Sequence, residues 1–388
     1  LIELEKPEGR LDIPVIQIKR KVANQLLAKT GYNLEQLEQE MKDTKSPKSF
    51  EINETVSLKT EVNINYNQTY NVAAQLISNP NNKEYIVIGA HYDHLGFGGI
   101  GSGSRDPNSK EIHYGADDNA SGVASVLEIA EKLASNKDSL NANFIFAAFG
   151  AEEMGLLGSK HFTTNLPVPD SVIKAMINID MLGRMKKDKS LQIGGVGTAP
   201  QSEAILNEIN TNYKLKLGLS YEGYGPSDHS SFYSMNIPVF FFSTGAHIDY
   251  HTPGDSLGNI NFEGMKLANN YIYDLSYQLA STNKQLTFKE AGPKSPEMGG
   301  RRDFKVTLGI MPDFSSVEKR GLRADIVIKD KPADKAGLKN GDIIVAINGY
   351  PVGDVYEYME RLTKLKAGQI ITVEVIRNDK KEVFIVQL

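Results

Sequence analysis

Short apolar runs separated by helix-spaced stretches dominate the middle of the chain. Tyr85 to Ala90, Phe144 to Gly150, Ala175 to Ile179 and Val239 to Phe242 are strand-length runs. Between them, Ala120 to Leu133, Ser202 to Asn210 and Phe262 to Leu279 place apolar residues at the three-and-four spacing of an amphipathic helix. Strand and helix in alternation predict an α/β layer: a mostly parallel central sheet flanked by helices. The flanks read differently. Ile13 to Ile18 predicts a strand feeding helices at Lys21 to Lys29 and Asn33 to Lys42, and Thr55 to Tyr66 alternates as a β-rich stretch. Ser281 to Arg302, broken by Gly292, Pro293, Pro296, Gly299 and Gly300, reads as a linker. Beyond it, Phe304 to Ile310, Ala324 to Ile328, Ile343 to Ile347, Ile370 to Arg377 and Glu382 to Val386 are strand-like, with one helix at Val355 to Leu365. The expected divisions are therefore 1–55, a catalytic-sized 56–282, a linker 283–302 and a small β-rich domain 303–388.

Composition narrows the chemistry. Of 388 residues, 40% are hydrophobic, enough for a buried core, which excludes a largely disordered chain. The formal net charge of −5 argues against a nucleic-acid or anionic-membrane binder. No cysteine is present, so disulfides, thiolate metal sites and cysteine nucleophiles are excluded. No apolar run approaches the roughly 18 residues of a membrane span. The chain begins at Leu1 without an initiator Met, and we expect a fragment or processed form of a secreted or periplasmic protein.

The chemistry sits where the predicted strands end. The first runs into His91-Tyr92-Asp93-His94, the second into Ala151-Glu152-Glu153, the third into Asp180, and the fourth leads to Asp249-Tyr250-His251. A Gly115-Ala116-Asp117-Asp118-Asn119 turn precedes a helix. Open α/β sheets bind ligands beyond the carboxyl ends of their strands. Several carboxylates gathered there repel one another unless a cation neutralises them. Imidazole mixed with carboxylate suits Zn²⁺, Mn²⁺ or Co²⁺. Two histidines with three or more carboxylates exceed the needs of one open tetrahedral zinc and suffice for two ions sharing a carboxylate.

His91-Tyr92-Asp93, the Gly115 to Gly122 block, Gly150-Ala151-Glu152-Glu153 with its sequel to Ser159, Asn178-Ile179-Asp180-Met181 and Tyr250-His251-Thr252-Pro253 together resemble the di-zinc aminopeptidases of peptidase family M28. The resemblance implies that Asp117 bridges two zinc ions, with Glu153 and His251 completing one site and His91 and Asp180 the other. It implies Glu152 as general base and Asp93 as a carboxylate behind His91. Tyr250 would help to stabilise the tetrahedral intermediate. Peptides would be the substrates. Ser227-Asp228-His229-Ser230-Ser231-Phe232 also resembles a family motif beside the substrate pocket.

Other readings stand beside these. Asp117-Asp118-Asn119 alone could be a helix cap, and Glu152 with Glu153 first-turn acids facing a helix dipole. His94, His113, His161, His229 and His247 are left as structural or pocket-lining. Gly96 to Gly101 matches a dinucleotide fingerprint but opens no helix, and we read it as a flap. A glutaminyl cyclase-like acyltransferase with one zinc, or a peptide-binding scaffold without catalysis, are the rival functions. Leu308-Gly309-Ile310 and Lys335 to Gly349 resemble a PDZ domain, which implies strand-addition binding of a peptide end at Thr307 to Ile310; a packing module is the alternative. Residues 1–55 resemble the end of a protease-associated insert.

Overall fold

The computed structural model describes residues 15–52, 55–61, 67–106, 108–282, 286–294, 306–312, 320–353 and 355–388. The chain divides into two units, residues 1–68 and 69–388. In the first, helices α1 (Arg20–Leu27) and α2 (Leu34–Thr44) form where the leucine spacing predicts them. The Asn33 side chain caps α2 by accepting from the Gln36 N–H at 2.9 Å. Arg20 joins the helices through Glu38 at 2.7 Å and Glu35 at 3.3 Å, exposed pairs worth little each. Among the described residues of this unit the expected strands do not form. Val15 to Lys19 and 55–61 carry no regular structure, while Ile13, Pro14 and 62–66 lie outside the described residues.

The second unit contains two sheets. Its first elements are strands β1 (Val72–Leu76) and β2 (Tyr85–His91), helix α3 (Gly122–Ser135), β3 (Asn143–Phe149), α4 (Leu157–Thr164), β4 (Ile173–Ile179) and β5 (Ser190–Gly194). Then follow α5 (Ser202–Tyr213), β6 (Lys216–Leu219), α6 (His229–Ser234), β7 (Val239–Ser243) and α7 (Phe262–Ser281). The sheet order is β1-β3-β2-β4-β7-β5-β6. β3, β2, β4 and β7 run parallel; β1 and β5 pair antiparallel with β3 and β7. The four parallel strands are the four apolar runs of the sequence, buried because helices cover both faces. On one face Ile86, Ile88, Phe144, Ile177 and Phe240 pack beneath Ile129, Leu133 and Leu275. On the other, Val87, Ile145, Phe149 and Met176 pack with Phe162, Phe232 and Tyr233.

The 283–302 stretch is not simply a linker. Its described part, 286–294, is fastened to the sheet domain: Lys289 N–H donates to the Thr198 carbonyl at 2.8 Å and Gly223 N–H to the Ala291 carbonyl at 2.8 Å. The fully buried Tyr233 hydroxyl donates to the Gly292 carbonyl at 2.6 Å and accepts from Ala291 N–H at 2.8 Å.

The C-terminal sheet contains β8 (Ile310–Pro312), β9 (Leu322–Val327), β10 (Ile343–Ile347), β11 (Tyr350–Pro351), β12 (Ile370–Arg377) and β13 (Lys380–Gln387), with helices α8 (Pro332–Lys335) and α9 (Val355–Thr363). Its order is β13-β12-β10-β9-β8, all antiparallel, with β11 folded back on β10. Leu308, Leu322, Ile344, Leu362, Val373 and Val386 make a core of its own. The strand expected at Phe304 to Ile310 begins only at Ile310; 306–309 is irregular and 304–305 falls outside the described residues. Gly309, at φ 75°, takes the turn into β8, and its N–H donates to Thr307 Oγ1 at 3.0 Å. Among the described residues no helix is long and apolar enough to cross a membrane.

Candidate metal centre

Five segments meet at the carboxyl edge of the first sheet. β2 ends on His91, and Asp93 and His94 follow; β3 leads through Ala151 to Glu152 and Glu153; β4 runs into Asp180; the loop after β7 carries His247 to His251; the turn before α3 carries Asp117 and Asp118. That turn can approach β4 only because residue 122 is glycine. A Cβ there would collide with Asn119 Oδ1 and the Ile179 carbonyl oxygen. Asn119 Nδ2 donates to that carbonyl at 2.9 Å, tying the turn to the strand that delivers Asp180. Ala151, Met181 and His251 all hold positive φ, at 54°, 59° and 56°. Non-glycine residues resist this region, at a cost of about 1–3 kcal/mol each, and such costs cluster at sites where side-chain direction matters.

The cluster centres on Asp118. Its Oδ1 lies 3.1 Å from His91 Nε2 and its Oδ2 lies 3.2 Å from His251 Nε2. His91 Nε2 is 3.6 Å from Asp180 Oδ1, and His251 Nε2 is 3.2 Å from Glu153 Oε2. One oxygen of Asp118 thus serves each of two imidazole–carboxylate groups. Both histidines are held by their other nitrogen. His91 Nδ1 donates to the Asp93 carbonyl at 3.1 Å and His251 Nδ1 to the Gly103 carbonyl at 3.1 Å, which turns each Nε2 inward toward the carboxylates.

This corrects the assignment of Asp117. Its side chain turns the other way: Oδ1 accepts from Gly183 N–H and from Ser121 Oγ at 2.9 Å, and Oδ2 sits 3.2 Å from His247 Nε2. Two adjacent carboxylates at an irregular turn diverge, and the non-helical Asp118 (φ −108°, ψ 85°) is the one aimed at the gap. The main-chain N–H groups of both aspartates are clamped by the buried Asp255 carboxylate at 3.0 Å. Asp93 also differs from expectation. Its carbonyl, not its carboxylate, bonds His91; the carboxylate, 3.8 Å from His91 Nδ1, accepts from the Glu152 and Glu153 N–H groups at 2.9 and 3.3 Å. It therefore sets the turn that aims the two glutamates. Ser227 donates to Asp180 Oδ2 at 2.7 Å, so the serine motif anchors a cluster carboxylate. Tyr250 stacks on the His251 ring at 3.8 Å between centroids.

His94, set aside in the sequence, joins the cluster as well. Its Nδ1 lies 2.9 Å from Glu153 Oε1 and 3.8 Å from Asp118 Oδ2. The available signal was its place three residues after His91 in the segment leaving β2.

The electrostatics show what is missing. Asp118 Oδ2 and Asp180 Oδ1 are buried without a hydrogen-bond partner. Burial, and then the Asp180, Asp228 and Glu153 charges, push the Glu152 carboxyl up to about 9, against the pull of His91. Burial pulls His251 down, but its contacts with Asp118 and Glu153 prevail and raise it to about 10. Burial and the surrounding carboxylates push the Tyr250 phenol well above its usual range, so it keeps its proton. Orphaned inward oxygens, imidazoles whose protons are held by the surrounding carboxylates and a carboxyl that cannot easily ionise are the marks of a site short of positive charge. His91, Asp118 and Asp180 form one set of donors that a cation could bridge; His94, Asp118 and Glu153 form a second. The residues fit divalent ions.

The model of peptidase family M28 matches residues 71–276, and that of the PDZ domain matches residues 308–388. Among curated relatives, a probable leucine aminopeptidase of Arthroderma otae is 28% identical over 220 residues, 53% of this chain and 56% of the relative. An aminopeptidase of Pseudomonas aeruginosa is 30% identical over 285 residues, 66% of this chain and 48% of the relative. The chain spans about half the length of these relatives. Among solved structures, a zinc aminopeptidase from Bacillus subtilis is 24% identical, with 58% of this chain and 53% of that one covered and a TM-score of 0.46. The family match runs through every strand of the first sheet, from just before β1 to within α7, and takes in each group of the cluster from His91 to His251: the chain belongs to peptidase family M28.

Proposed function

We propose that the chain is a metal-dependent aminopeptidase that hydrolyses the first peptide bond of peptide substrates. The observation that carries this reading is Asp118, with one oxygen on each of two imidazole–carboxylate groups. His91, Asp180 and Asp118 would hold one divalent ion, and Asp118, Glu153 and His251 the other. The mixture of imidazole and carboxylate favours zinc, with manganese or cobalt as substitutes. Two such ions supply Lewis-acid polarisation of the scissile carbonyl and acidification of a water.

The chain's own groups supply the rest. Glu152, the glutamate of the pair that makes no close contact to either cluster imidazole, takes the water's proton and returns it to the leaving amine. Its carboxyl is held high in the metal-free protein by burial and like charge, and added positive charge brings it into the range of a working base. Asp93 keeps the Glu152–Glu153 main chain in place. Tyr250, a protonated phenol, is the hydrogen-bond donor for the developing oxyanion. The aminopeptidase names of the curated relatives support cleavage from the amino end. The PDZ domain would take an extended peptide alongside β8.

The test is metal content together with turnover. Metal-loaded protein should hold two ions per chain and cleave members of an aminoacyl-p-nitroanilide panel, and chelator dialysis should abolish cleavage. One ion per chain with cyclisation of N-terminal glutamine would favour the acyltransferase; two ions and no turnover of any substrate would favour a scaffold.

A further inference from the structure

We propose that His94 is a ligand of the second cation, through Nδ1, beside His251, Glu153 and Asp118. The proposal rests on the two-ion reading above and deepens it by making the two positions unequal. Any two donors of one zinc ion, each about 2.0–2.2 Å from it, lie no more than about 4.4 Å apart. His94 Nδ1 is 2.9 Å from Glu153 Oε1 and 3.8 Å from Asp118 Oδ2, inside that bound on both counts. His251 Nε2 stands 3.2 Å from the other oxygen of Glu153 and 3.2 Å from the same Asp118 oxygen. The two rings meet edge to face, 5.8 Å between centroids at 74°, so they lie side by side at the cluster without colliding. His94, Asp118 and Glu153 offer donor atoms close enough together for one cation, and the His94 side chain is only 9% exposed.

The consequence is chemical. The second position would have two imidazoles and two carboxylates, four protein donors, the closed set of a tightly held zinc. The first, with His91, Asp180 and the shared Asp118, keeps a place for substrate. The closed position should retain zinc through dialysis that empties the open one.

Two measurements decide the matter. In crystals of the zinc-loaded protein, anomalous scattering should place His94 Nδ1 about 2.0–2.1 Å from the second ion. Competition with a chromophoric chelator should resolve two zinc affinities in the wild type, and His94→Ala should weaken the tighter by about tenfold or more while sparing the weaker. His94→Asn can still donate a hydrogen bond to Glu153 but offers no imidazole, and it should behave as His94→Ala does. Two ions with Nδ1 beyond 3 Å (roughly, outside any coordination distance), or a tight site restored in His94→Asn, would overturn the ligand role and leave the two-ion reading standing. Fewer than two ions in the wild type would overturn that reading and this inference with it.

Discussion

Asp117 and Asp118 are neighbours with opposite duties, and substitution should separate them. Asp118→Asn removes the charge shared by both imidazole groups, so affinity for the ions should fall by roughly 100-fold or more, with activity lost alongside. Asp117→Ala instead removes the acceptor of Gly183 N–H and Ser121 Oγ. It should lower stability by about 1–3 kcal/mol while two ions still bind, which metal analysis and urea melts would show. Equal metal binding in the two variants would remove Asp118 from the shared position. Adjacent acids in a sequence do not disclose which one turns inward, and this is why the motif was legible and the bridging residue was not. Glu152→Gln should keep both ions and lose about 10³-fold or more in turnover if the carboxylate moves the proton. His229 offers a pH test away from the ions. Buried and stacked on Phe241 at 4.6 Å, it is driven down to about 3. A histidine with a depressed folded value binds protons more readily when unfolded, so its stabilising effect is complete above pH ~6.5 and drains as pH falls from there toward 3. Asp228, raised to about 7 chiefly by burial, acts in the opposite sense, but it is common to wild type and His229→Phe and cancels in their difference. Between pH 6.5 and 5, metal-free wild type should lose about 2 kcal/mol relative to that variant, measured by urea unfolding.

At the scale of elements, the sheet works as a delivery device. Parallel strands β3, β2, β4 and β7 end at one edge, and the second residue past each of β3 and β4, Ala151 and Met181, adopts positive φ beside the functional carboxylate. The four central strands were legible because burial on both faces leaves continuous apolar runs. β5 (Ser190–Gly194) and β6 (Lys216–Leu219) were missed because they are short, lie at one end of the sheet order and interleave polar residues and glycine. β1 was not read from the sequence, and the β-rich stretch expected at 55–66 is irregular over its described part, 55–61. The 286–294 strap was read as linker from its Gly and Pro content, a local signal that carries no information about backbone bonds to Thr198 and Gly223. Its contribution is measurable through Tyr233. Tyr233→Phe would remove the hydroxyl that bonds both the Gly292 carbonyl and the Ala291 N–H, and should cost about 1 kcal/mol of stability without altering metal content. No change in the thermal midpoint would mean that the strap is held by its other bonds alone.

For the whole molecule, separate cores imply separable functions. The peptidase sheet packs around Ile88, Phe144 and Ile177, the PDZ-like sheet around Leu308, Ile344 and Val373, and these sets share no member. Two domains were legible from the change in strand rhythm after residue 303, and the family matches at 71–276 and 308–388 follow the same division. A pair that does cross between them is Lys186 with Asp325, at 3.6 Å, and the lysine side chain is 45% exposed. Such a pair is worth no more than about 1 kcal/mol and cannot hold a catalytic geometry in place. Every side chain of the cluster lies between His91 and Asp255, and the strap ends its described run at Lys294. Truncation after Lys294 should therefore leave the number of ions and the cleavage of aminoacyl-p-nitroanilides unchanged, because these small substrates touch only the strand-end site. Cleavage of long peptides by the same truncated protein should weaken, through a higher KM with kcat preserved, if the PDZ domain gathers extended chains. Loss of ions or of small-substrate turnover on truncation would show instead that the C-terminal sheet helps to build the active centre.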